Sequence, residues 1–287
     1  MTSPVDTDPT NLCAVVFAAG EGVRMRPITL HLPKPLCPVG NVALLDAALA
    51  RVAALGLTGP SRVAVNASYL ADQIAAHVGD RVHLSREPAP LGTAGGLRRL
   101  RSWIDGRAVL AVNSDAYLVP LRPRPDDLWA LLDGWDGVTV RILTVPAGEL
   151  APEFGDQRFA GASLLPADLV AAIPAGMLTL TGAVWRPAER AGRLELIPYE
   201  GYYADTGTPR DLWAANVRAA AGACLIDPTA VVTGSVTNSI VGAGAVVAGS
   251  VTRSVVFPGA RVAAEEVLVD VLRVGVDITI PATRLSA

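Results

Sequence analysis

The chain has 287 residues, a length that predicts about two domains, and its 51% hydrophobic and 18% charged residues are not typical of a disordered or fibrous protein. The formal net charge of −3 argues against a nucleic-acid-binding protein that relies on bulk positive charge, so an anionic ligand would be held by local groups. Three widely separated cysteines, Cys13, Cys37 and Cys224, lack the spacing of a disulfide framework or a zinc site.

The sequence predicts no insertion into a membrane. Residues 1–11 are polar and are expected to form a disordered tail. They lack the basic and apolar regions typical of a signal peptide. The uncharged stretch 169–185 contains Pro174 and is too short to span a bilayer, and the stretch 228–252 is rich in Gly, Ser and Thr. We therefore expect a cytoplasmic protein.

Residues 12–221 alternate short apolar runs, typical of buried strands, with segments typical of helices. This alternation predicts an α/β domain with a largely parallel sheet, whose ligands bind beyond the carboxyl ends of the strands. The Gly20 loop and the segment 113–115 both follow predicted strands and are therefore candidate site segments. The predicted elements are strands at 12–18, 62–65, 82–85, 108–112 and 138–145 and helices at 42–55, 69–78, 93–103, 125–132 and 209–221.

Residues 222–287 have a different pattern, and we place the domain boundary near Gly222. The segments 232–247 and 247–262 match at ten of sixteen positions at an offset of 15 residues. Aliphatic residues every five or six positions, with Gly and Ala between them, predict a stacked parallel β-helix. The pattern resembles the left-handed β-helix built from hexapeptide repeats, and an ordinary β-sandwich is the alternative.

The segment after the first strand reads AAGEGVRMRP (18–27) and is followed by PKPL (33–36). Glycines after a strand let backbone N–H groups approach a phosphate chain. A dinucleotide-binding fingerprint is excluded because its last glycine position is Met25, and a Walker A loop is excluded because Pro33 precedes Lys34. Lys34 is the only lysine in the chain, which indicates a site that needs a compact ammonium where arginine serves elsewhere.

These two segments resemble the signature of the sugar-1-phosphate nucleotidyltransferases, roughly A-A-G-x-G-[ST]-R-[LM]-x-P followed by P-K-P. Further segments resemble the family's other motifs in the same order. They are LGTAGG (91–96) for the nucleobase loop, VNSD (112–115) for the metal-binding N-x-D, FAG (159–161) for the sugar-pocket strand and YYADTGTP (202–209) for W-x-D-x-G-T-P. The resemblance covers about residues 12–221 and implies a Rossmann-like nucleotidyltransferase domain, to which several members append a β-helix.

The resemblance implies an enzyme that transfers a nucleoside monophosphate from a nucleoside triphosphate to a sugar 1-phosphate and releases pyrophosphate. Such a reaction requires mainly positioning and charge neutralisation. The resemblance implies that Arg24, Lys34 and Asp115 are catalytic residues. It also implies that Asp115 and Asp205 bind Mg²⁺. It assigns the nucleotide to Ala18, Ala19, Gly20, Glu21, Gly22, Arg24, Glu87, Gly92 and Thr93, and the sugar phosphate to Asn113, Gly161 and Arg158. Arg158 is the candidate for a cation that many members supply from a Glu-Lys-Pro motif absent here.

The nucleobase is predicted from Glu87, which precedes the nucleobase loop. A carboxylate can accept both N–H donors of the guanine edge, which favours GTP and, with it, mannose 1-phosphate or a related sugar phosphate. The TAGG continuation and the short 154–165 region also resemble UTP-dependent enzymes that act on N-acetylmuramate 1-phosphate, so this alternative stays open. Glu87 could also be a solvated loop residue.

Two other functions are compatible with parts of the sequence. A non-catalytic regulatory relative could keep the fold, although the retained Arg24, Lys34, Asp115 and Asp205 favour an active enzyme. An acyltransferase β-helix would need a histidine, and the last one in the chain is His83. We expect the β-helix to hold the subunits of a homo-oligomer together, and we expect neither nucleic acid nor membrane as a partner.

Overall fold

The computed structural model describes residues 11–121 and 128–282. Contacts divide the chain into two compact units, the first comprising residues up to 21 and 45–203 and the second comprising 22–44 and residues from 204 onward. Short 3-10 turns lie at Val23–Met25, Ile28–Leu30, Lys34–Leu36 and Trp129–Leu131, with a π-helical turn at Thr181–Trp185. The helices are α1 (Leu44–Ala54), α2 (Ala71–Val78), α3 (Gly92–Arg99), α4 (Arg101–Ile104), α5 (Ala167–Ala171), α6 (Arg186–Arg190) and α7 (Pro209–Ala220). The strands are β1 (Leu12–Phe17), β2 (Pro38–Val39), β3 (Val42–Ala43), β4 (Val63–Ala67), β5 (His83–Arg86), β6 (Ala108–Asn113), β7 (Ala116–Pro120), β8 (Val140–Pro146), β9 (Gln157–Leu165), β10 (Leu194–Pro198), β11 (Gly201–Asp205), β12 (Leu225–Ile226), β13 (Val231–Val232), β14 (Ser235–Thr237), β15 (Ile240–Val241), β16 (Val246–Val247), β17 (Ser250–Thr252), β18 (Val255–Val256), β19 (Arg261–Val262), β20 (Val267–Val269), β21 (Val271–Val274) and β22 (Ile278–Pro281).

The first unit is built on a seven-stranded sheet in the order β10-β8-β9-β6-β1-β4-β5. Strand β1 runs parallel to both of its neighbours, with Val15 opposite Ala64 on one side and Ala111 on the other. Strand β9 is antiparallel to β6 and β8, and the other neighbouring pairs are parallel. The interior of β1 is fully buried, as expected for an apolar strand inside a largely parallel sheet. The predicted α/β fold with a largely parallel sheet is confirmed.

Most predicted elements of the first unit are present with ends shifted by one or two residues, but two predicted helices differ. The predicted helix 93–103 consists of α3 and α4, which meet at Leu100, where ψ is 3°. Of the predicted helix 125–132, residues 125–127 lie outside the described residues, and only the 3-10 turn Trp129–Leu131 follows. Residues 1–10 of the predicted tail also lie outside them.

The second unit contains a stack of short strands in three parallel sheets, β12-β15-β18-β21, β13-β16-β19 and β14-β17-β20, with β22 antiparallel to β21. Ser235 lies opposite Ser250, so one turn of the stack takes the 15 residues predicted from the repeat. Ser250 lies opposite Val267, so the next turn on this sheet is two residues longer. This arrangement confirms the predicted parallel β-helix and excludes the alternative β-sandwich.

Glycines at the corners of the stack are required by close backbone contact between turns. A Cβ atom added at Gly234 would lie 2.0 Å from the carbonyl oxygen of Gly249, and one added at Gly249 would lie 2.3 Å from that of Ala263. Since real Cβ atoms do not approach backbone oxygens so closely, the repeat keeps glycine at these positions.

Segment 22–44 and helix α7 pack within the second unit. The side chain of Asn216 on α7 accepts a hydrogen bond from the Gly40 N–H and donates one to Pro38 O, and Asn41 donates to the carbonyls of Leu225 and Val241. The predicted boundary at Gly222 divides the chain by type of fold and not by contacts, and it stays a prediction. No helix in the described part of the chain has the length and hydropathy of a membrane span.

Candidate active site

A cavity of about 220 Å³ lies in the first unit, at the carboxyl ends of β1, β4 and β6. This is the edge of the sheet at which the sequence predicts a ligand site. The cavity is lined by Phe17, Ala19, Gly20, Asn66, Glu87, Pro90, Gly92, Thr93, Asn113 and Asp115.

The glycine loop after β1 forms one wall of the cavity. Ala19 is buried, whereas a Cβ atom added at Gly20 would meet no atom within 4 Å, so the backbone of Gly20 borders open space. Ala18 lies behind this wall, and its N–H donates to the side chain of Asn66 at 2.8 Å. Ala18 and Glu21, both predicted to bind the nucleotide, are not among the lining residues.

The turn after β6 supplies the two polar residues of another wall. The hydroxyl and the N–H of Ser114 both donate to Phe17 O, at 2.6 and 3.3 Å, and so connect this turn to the end of β1. Asn113 and Asp115, on either side of Ser114, line the cavity. The structure therefore brings the predicted sugar-phosphate residue Asn113 and the predicted metal ligand Asp115 to the same cavity as the Gly20 loop.

Glu87, just after β5, is buried with only 5% of its surface exposed, so the alternative of a solvated loop residue is wrong. Its Oε1 accepts a hydrogen bond from Asn66 Nδ2 at 2.8 Å, and its Oε2 accepts one from the Leu91 N–H at 3.1 Å. Its own N–H donates to Ala67 O at 2.7 Å. The first two contacts hold the carboxylate in the cavity wall, and the third holds the backbone of Glu87.

The predicted nucleobase loop begins helix α3 and packs closely against residues 176–180. A Cβ atom added at Gly92, where φ is +75°, would lie 2.4 Å from Leu178 O. The Ala94 N–H donates to the same oxygen at 2.9 Å, and the Thr93 hydroxyl accepts from the Leu180 N–H at 2.8 Å. Close packing within the protein, and not only contact with a ligand, therefore explains the glycine at position 92.

The predicted sugar-phosphate residues of β9 are not among the lining residues. A Cβ atom added at Gly161, where φ is +88°, would lie 2.3 Å from the Ala116 Cβ, so glycine is required by the contact with β7. Arg158 lies with Nη2 3.9 Å from Glu153 Oε1, and its side chain is 25% exposed. The structure does not bring Arg158 to the cavity wall.

In the second unit, Arg24, Lys34 and Asp205 come together although they are far apart in the sequence. Lys34 Nζ lies 3.6 Å from Asp205 Oδ1, and Arg24 Nη2 lies 3.8 Å from Asp205 Oδ2. The Lys34 side chain is 10% exposed and that of Arg24 is 69% exposed. A Cβ atom added at Gly207 would lie 2.8 Å from Arg24 Nη2, so the absence of a side chain at position 207 leaves the space that the guanidinium occupies. Two cations beside one carboxylate leave an excess of positive charge, so this group can bind anionic phosphates.

The glycine motif continues into this unit at Gly22, where φ is +62°. A Cβ atom added there would lie 2.9 Å from Thr29 Cγ2 and 3.2 Å from Lys34 Cβ, so glycine allows the chain to approach the Lys34 turn. Nearby, burial raises the pKa of the Cys37 thiol to about 12, despite the opposing charge of Lys34. This thiol is therefore protonated at neutral pH and is not a nucleophile.

Sequence reasoning missed three residues that line the cavity: Phe17, Asn66 and Pro90. Phe17 and Asn66 carried a usable signal, because each lies at or next to the carboxyl end of a predicted strand. Among the described residues, no three His, Cys, Asp or Glu side chains are grouped in the manner of a protein-only metal centre. Mg²⁺ commonly takes only one or two carboxylates and completes its shell with water and substrate phosphates, and Asp115 fits that donor set.

Comparison with known proteins agrees with these motifs. Residues 13–121 match the model of the nucleotidyl transferase family. The N-acetylmuramate alpha-1-phosphate uridylyltransferase of Neisseria meningitidis serogroup B is 27% identical over 217 residues, 68% of this chain and 93% of the relative. The mannose-1-phosphate guanylyltransferase of Mycobacterium tuberculosis is 32% identical over 108 residues, 36% of this chain and 29% of the relative.

A solved structure named as a glucose-1-phosphate thymidylyltransferase of Bacillus anthracis, in complex with sucrose, is similar to the fold. The TM-score is 0.61 at 15% sequence identity, and the match covers 72% of this chain and 95% of that one. At this identity, the likeness concerns the fold alone. The family match over residues 13–121, the uridylyltransferase and guanylyltransferase relatives and the sequence motifs agree, and together they support a sugar-1-phosphate nucleotidyltransferase.

Proposed function

We propose that this nucleotidyltransferase uses GTP and mannose 1-phosphate, or a closely related sugar 1-phosphate, and forms a GDP-sugar. An oxygen of the sugar 1-phosphate forms a bond to the α-phosphorus of GTP, and the bond from that phosphorus to the bridging oxygen of the β-phosphate breaks. Pyrophosphate leaves with the electron pair of that bond. The attacking phosphate oxygen is already ionised, so no general base is required.

The observation that carries the preference for GTP is the buried, fixed carboxylate of Glu87 in the cavity wall. A carboxylate has about four lone-pair sites, and Asn66 and Leu91 each occupy one. Each oxygen therefore keeps room for one more donor, which suits the neighbouring N1–H and N2–H groups of guanine. Uracil and thymine would place carbonyl oxygens against this carboxylate, and buried polar groups left without a partner cost about 1–3 kcal/mol.

The remaining roles follow the same proposal. The backbone at Ala19, Gly20 and Gly22, with Glu21, approaches the nucleotide phosphates. Arg24 grips the triphosphate, and the compact ammonium of Lys34 meets the reacting α-phosphate. On the sugar side, Asn113 borders the sugar phosphate, whereas the roles of Gly161 and Arg158, which do not line the cavity, stay predictions. A bound Mg²⁺ would neutralise charge on the phosphates, with Asp115 and Asp205 as its protein ligands. These two carboxylates belong to separate units, and their sharing of one ion stays a prediction.

A second candidate is transfer from UTP to N-acetylmuramate 1-phosphate. The observation that favours it is coverage, because the matches to two uridylyltransferases, from Neisseria meningitidis and Caulobacter vibrioides, span 93% and 96% of those proteins. The guanylyltransferase from Mycobacterium tuberculosis matches over 29% of its length.

A pyrophosphate-release screen of the purified chain separates the two candidates. Four nucleoside triphosphates are crossed with a panel of sugar 1-phosphates that includes mannose 1-phosphate and N-acetylmuramate 1-phosphate, with Mg²⁺ and with EDTA as a control. We expect the highest kcat/KM for GTP with mannose 1-phosphate. A clear preference for UTP with N-acetylmuramate 1-phosphate would establish the second candidate, and no release with any pair would refute both.

We also propose that residues 222–287 hold the subunits of a homo-oligomer together. Val231 and Val267 are 53% and 72% exposed on the strands of this segment, and exposed apolar strand residues are commonly covered by another chain. Light scattering of the full chain and of a chain ending at residue 221 tests this. Equal subunit numbers for both would refute it.

A further inference from the structure

Asn66 connects two parts of the cavity wall that are distant in the sequence. It lies at the carboxyl end of β4, is 3% exposed and lines the cavity. Its Oδ1 accepts from the Ala18 N–H at 2.8 Å, and its Nδ2 donates to Glu87 Oε1 at 2.8 Å. One amide thus joins the beginning of the glycine loop to the carboxylate next to the nucleobase loop.

The polarity of these contacts allows only one orientation of the amide. The Ala18 N–H can only donate, so it must face the amide oxygen. The carboxylate of Glu87 accepts, so it must face the amide nitrogen. A flipped amide would lose both hydrogen bonds, and the position of Glu87 is therefore determined by the position of the glycine loop.

There is little free space in which this arrangement could change. A Cβ atom added at Gly96 would lie 2.9 Å from Asn66 Nδ2 and 3.0 Å from Glu87 Oε1, so the pair packs directly against the backbone of α3. Oε2 of the same carboxylate is held by the Leu91 N–H. Loss of the Asn66 contact would release one side of the carboxylate while its other side stays attached to the loop.

We propose that Asn66 is a positioning residue for nucleobase selection, which holds Glu87 in register with the glycine loop. This inference rests on the proposed nucleotidyl transfer and adds a residue that acts through Glu87 and not by touching the base. A fixed carboxylate discriminates between base edges because a wrong donor pattern meets it at a fixed distance. A carboxylate free to turn away discriminates less.

Two variants test the polarity argument. Asn66→Asp keeps an oxygen for the Ala18 N–H but places a second oxygen against Glu87 Oε1, which repels it. The double variant Asn66→Asp with Glu87→Gln reverses the polarity and restores the whole chain of hydrogen bonds: Ala18 N–H to the new carboxylate, the new glutamine amide to that carboxylate, and the Leu91 N–H to the glutamine oxygen. Ser163→Ala serves as the control, because Ser163 is also fully buried in the same sheet and does not line the cavity.

Each protein is assayed for kcat and KM with all four nucleoside triphosphates, and its thermal midpoint is measured. For Asn66→Asp we expect the ratio of kcat/KM between the best and the second-best base to fall by about 10- to 100-fold, the range for a lost hydrogen bond to a charged group. For the double variant we expect the midpoint to return towards that of the unmodified chain, with preference moved away from GTP. Ser163→Ala should keep the original ratio.

A merely structural role would lower kcat/KM for all bases by the same factor, and an unchanged ratio in Asn66→Asp would overturn the proposal. If Asn66→Asp does not fold, the double variant decides: folding with altered base preference supports the proposal, and failure to fold overturns it. If the unmodified chain prefers UTP, the proposed GTP specificity is refuted but the proposed role of Asn66 is not. In that case Asn66→Asp is still expected to reduce the discrimination between bases. If the unmodified chain transfers no nucleotide, the proposed function fails and this role fails with it.

Discussion

Replacement of Gly92 by alanine tests whether the nucleobase loop depends on its contact with residues 176–180. Gly92 has φ of +75°, and the added Cβ atom would lie 2.4 Å from the backbone oxygen of Leu178. Gly106 has φ of +72° and no atom within 4 Å of the corresponding position. Gly106→Ala is therefore a matched control that carries the same backbone strain without the collision.

The two variants share the cost of a left-handed alanine, about 1–2 kcal/mol. Gly92→Ala must also separate the loop from Leu178, which threatens three hydrogen bonds: Ala94 N–H to Leu178 O, Leu178 N–H to Leu91 O, and Leu180 N–H to the Thr93 hydroxyl. At about 1 kcal/mol net for each bond, the additional loss is about 1–3 kcal/mol. For a chain of this size, each kcal/mol lowers the thermal midpoint by about 2–4 °C.

Differential scanning calorimetry and the pyrophosphate-release assay measure the two consequences. We expect the midpoint of Gly92→Ala to lie below that of Gly106→Ala and its KM for the nucleotide to be raised, because Thr93 and Glu87 border the same cavity. The control should keep the wild-type KM. Equal thermal midpoints for the two variants would refute the collision between an alanine Cβ at position 92 and Leu178 O. A lower midpoint of Gly92→Ala with an unchanged KM would refute the link between this loop and nucleotide binding.

Three further outcomes are expected. Asp115→Asn should lower kcat by about 1,000-fold with an unchanged circular dichroism spectrum, because it removes a carboxylate predicted to bind Mg²⁺, and near-normal turnover would refute that assignment. Lys34→Arg should lower kcat/KM by about 100-fold despite the kept charge, because a broad guanidinium misplaces the α-phosphate, and unchanged kinetics would refute this role. Burial raises the pKa of the Cys13 thiol to about 11 and that of Cys37 to about 12, so both are protonated at pH 8, and a thiol reagent should modify only the exposed Cys224 in the native chain. Modification of more than one thiol before unfolding would contradict the burial.

The sheet and the edge that carries the cavity were predictable because their signal is local. Apolar runs mark β1 and β6, and the last residues of these two strands, Phe17 and Asn113, line the cavity. The 15-residue repeat likewise predicted the stack, because each turn of a β-helix repeats the same contacts.

The parts that could not be predicted depend on contacts between distant residues. The hydrogen bonds of Asn66 reach across 48 and 21 residues, and nothing in the sequence around Asn66 indicates their direction. The burial of Glu87 depends on the same contacts. The longer step between Ser250 and Val267 arises from two extra residues in one turn of the stack, which interrupts the repeat. The interruption of the predicted helix 93–103 at Leu100 follows two glycines, which are weak helix formers, but no local feature determines that it occurs at that residue.

The glycines of the nucleotidyltransferase motifs are required for two different reasons. Gly20 borders open space in the cavity wall, so its lack of a side chain leaves room for a ligand to reach the backbone. Gly92 and Gly96 instead make room for the protein itself, the first for Leu178 O and the second for the Asn66–Glu87 pair. A motif match therefore identifies positions at which a side chain is excluded, and only the structure separates those that admit a ligand from those that let the cavity wall close. Substitutions at the second group should change base selection through the wall, whereas substitution at Gly20 should act on the ligand directly.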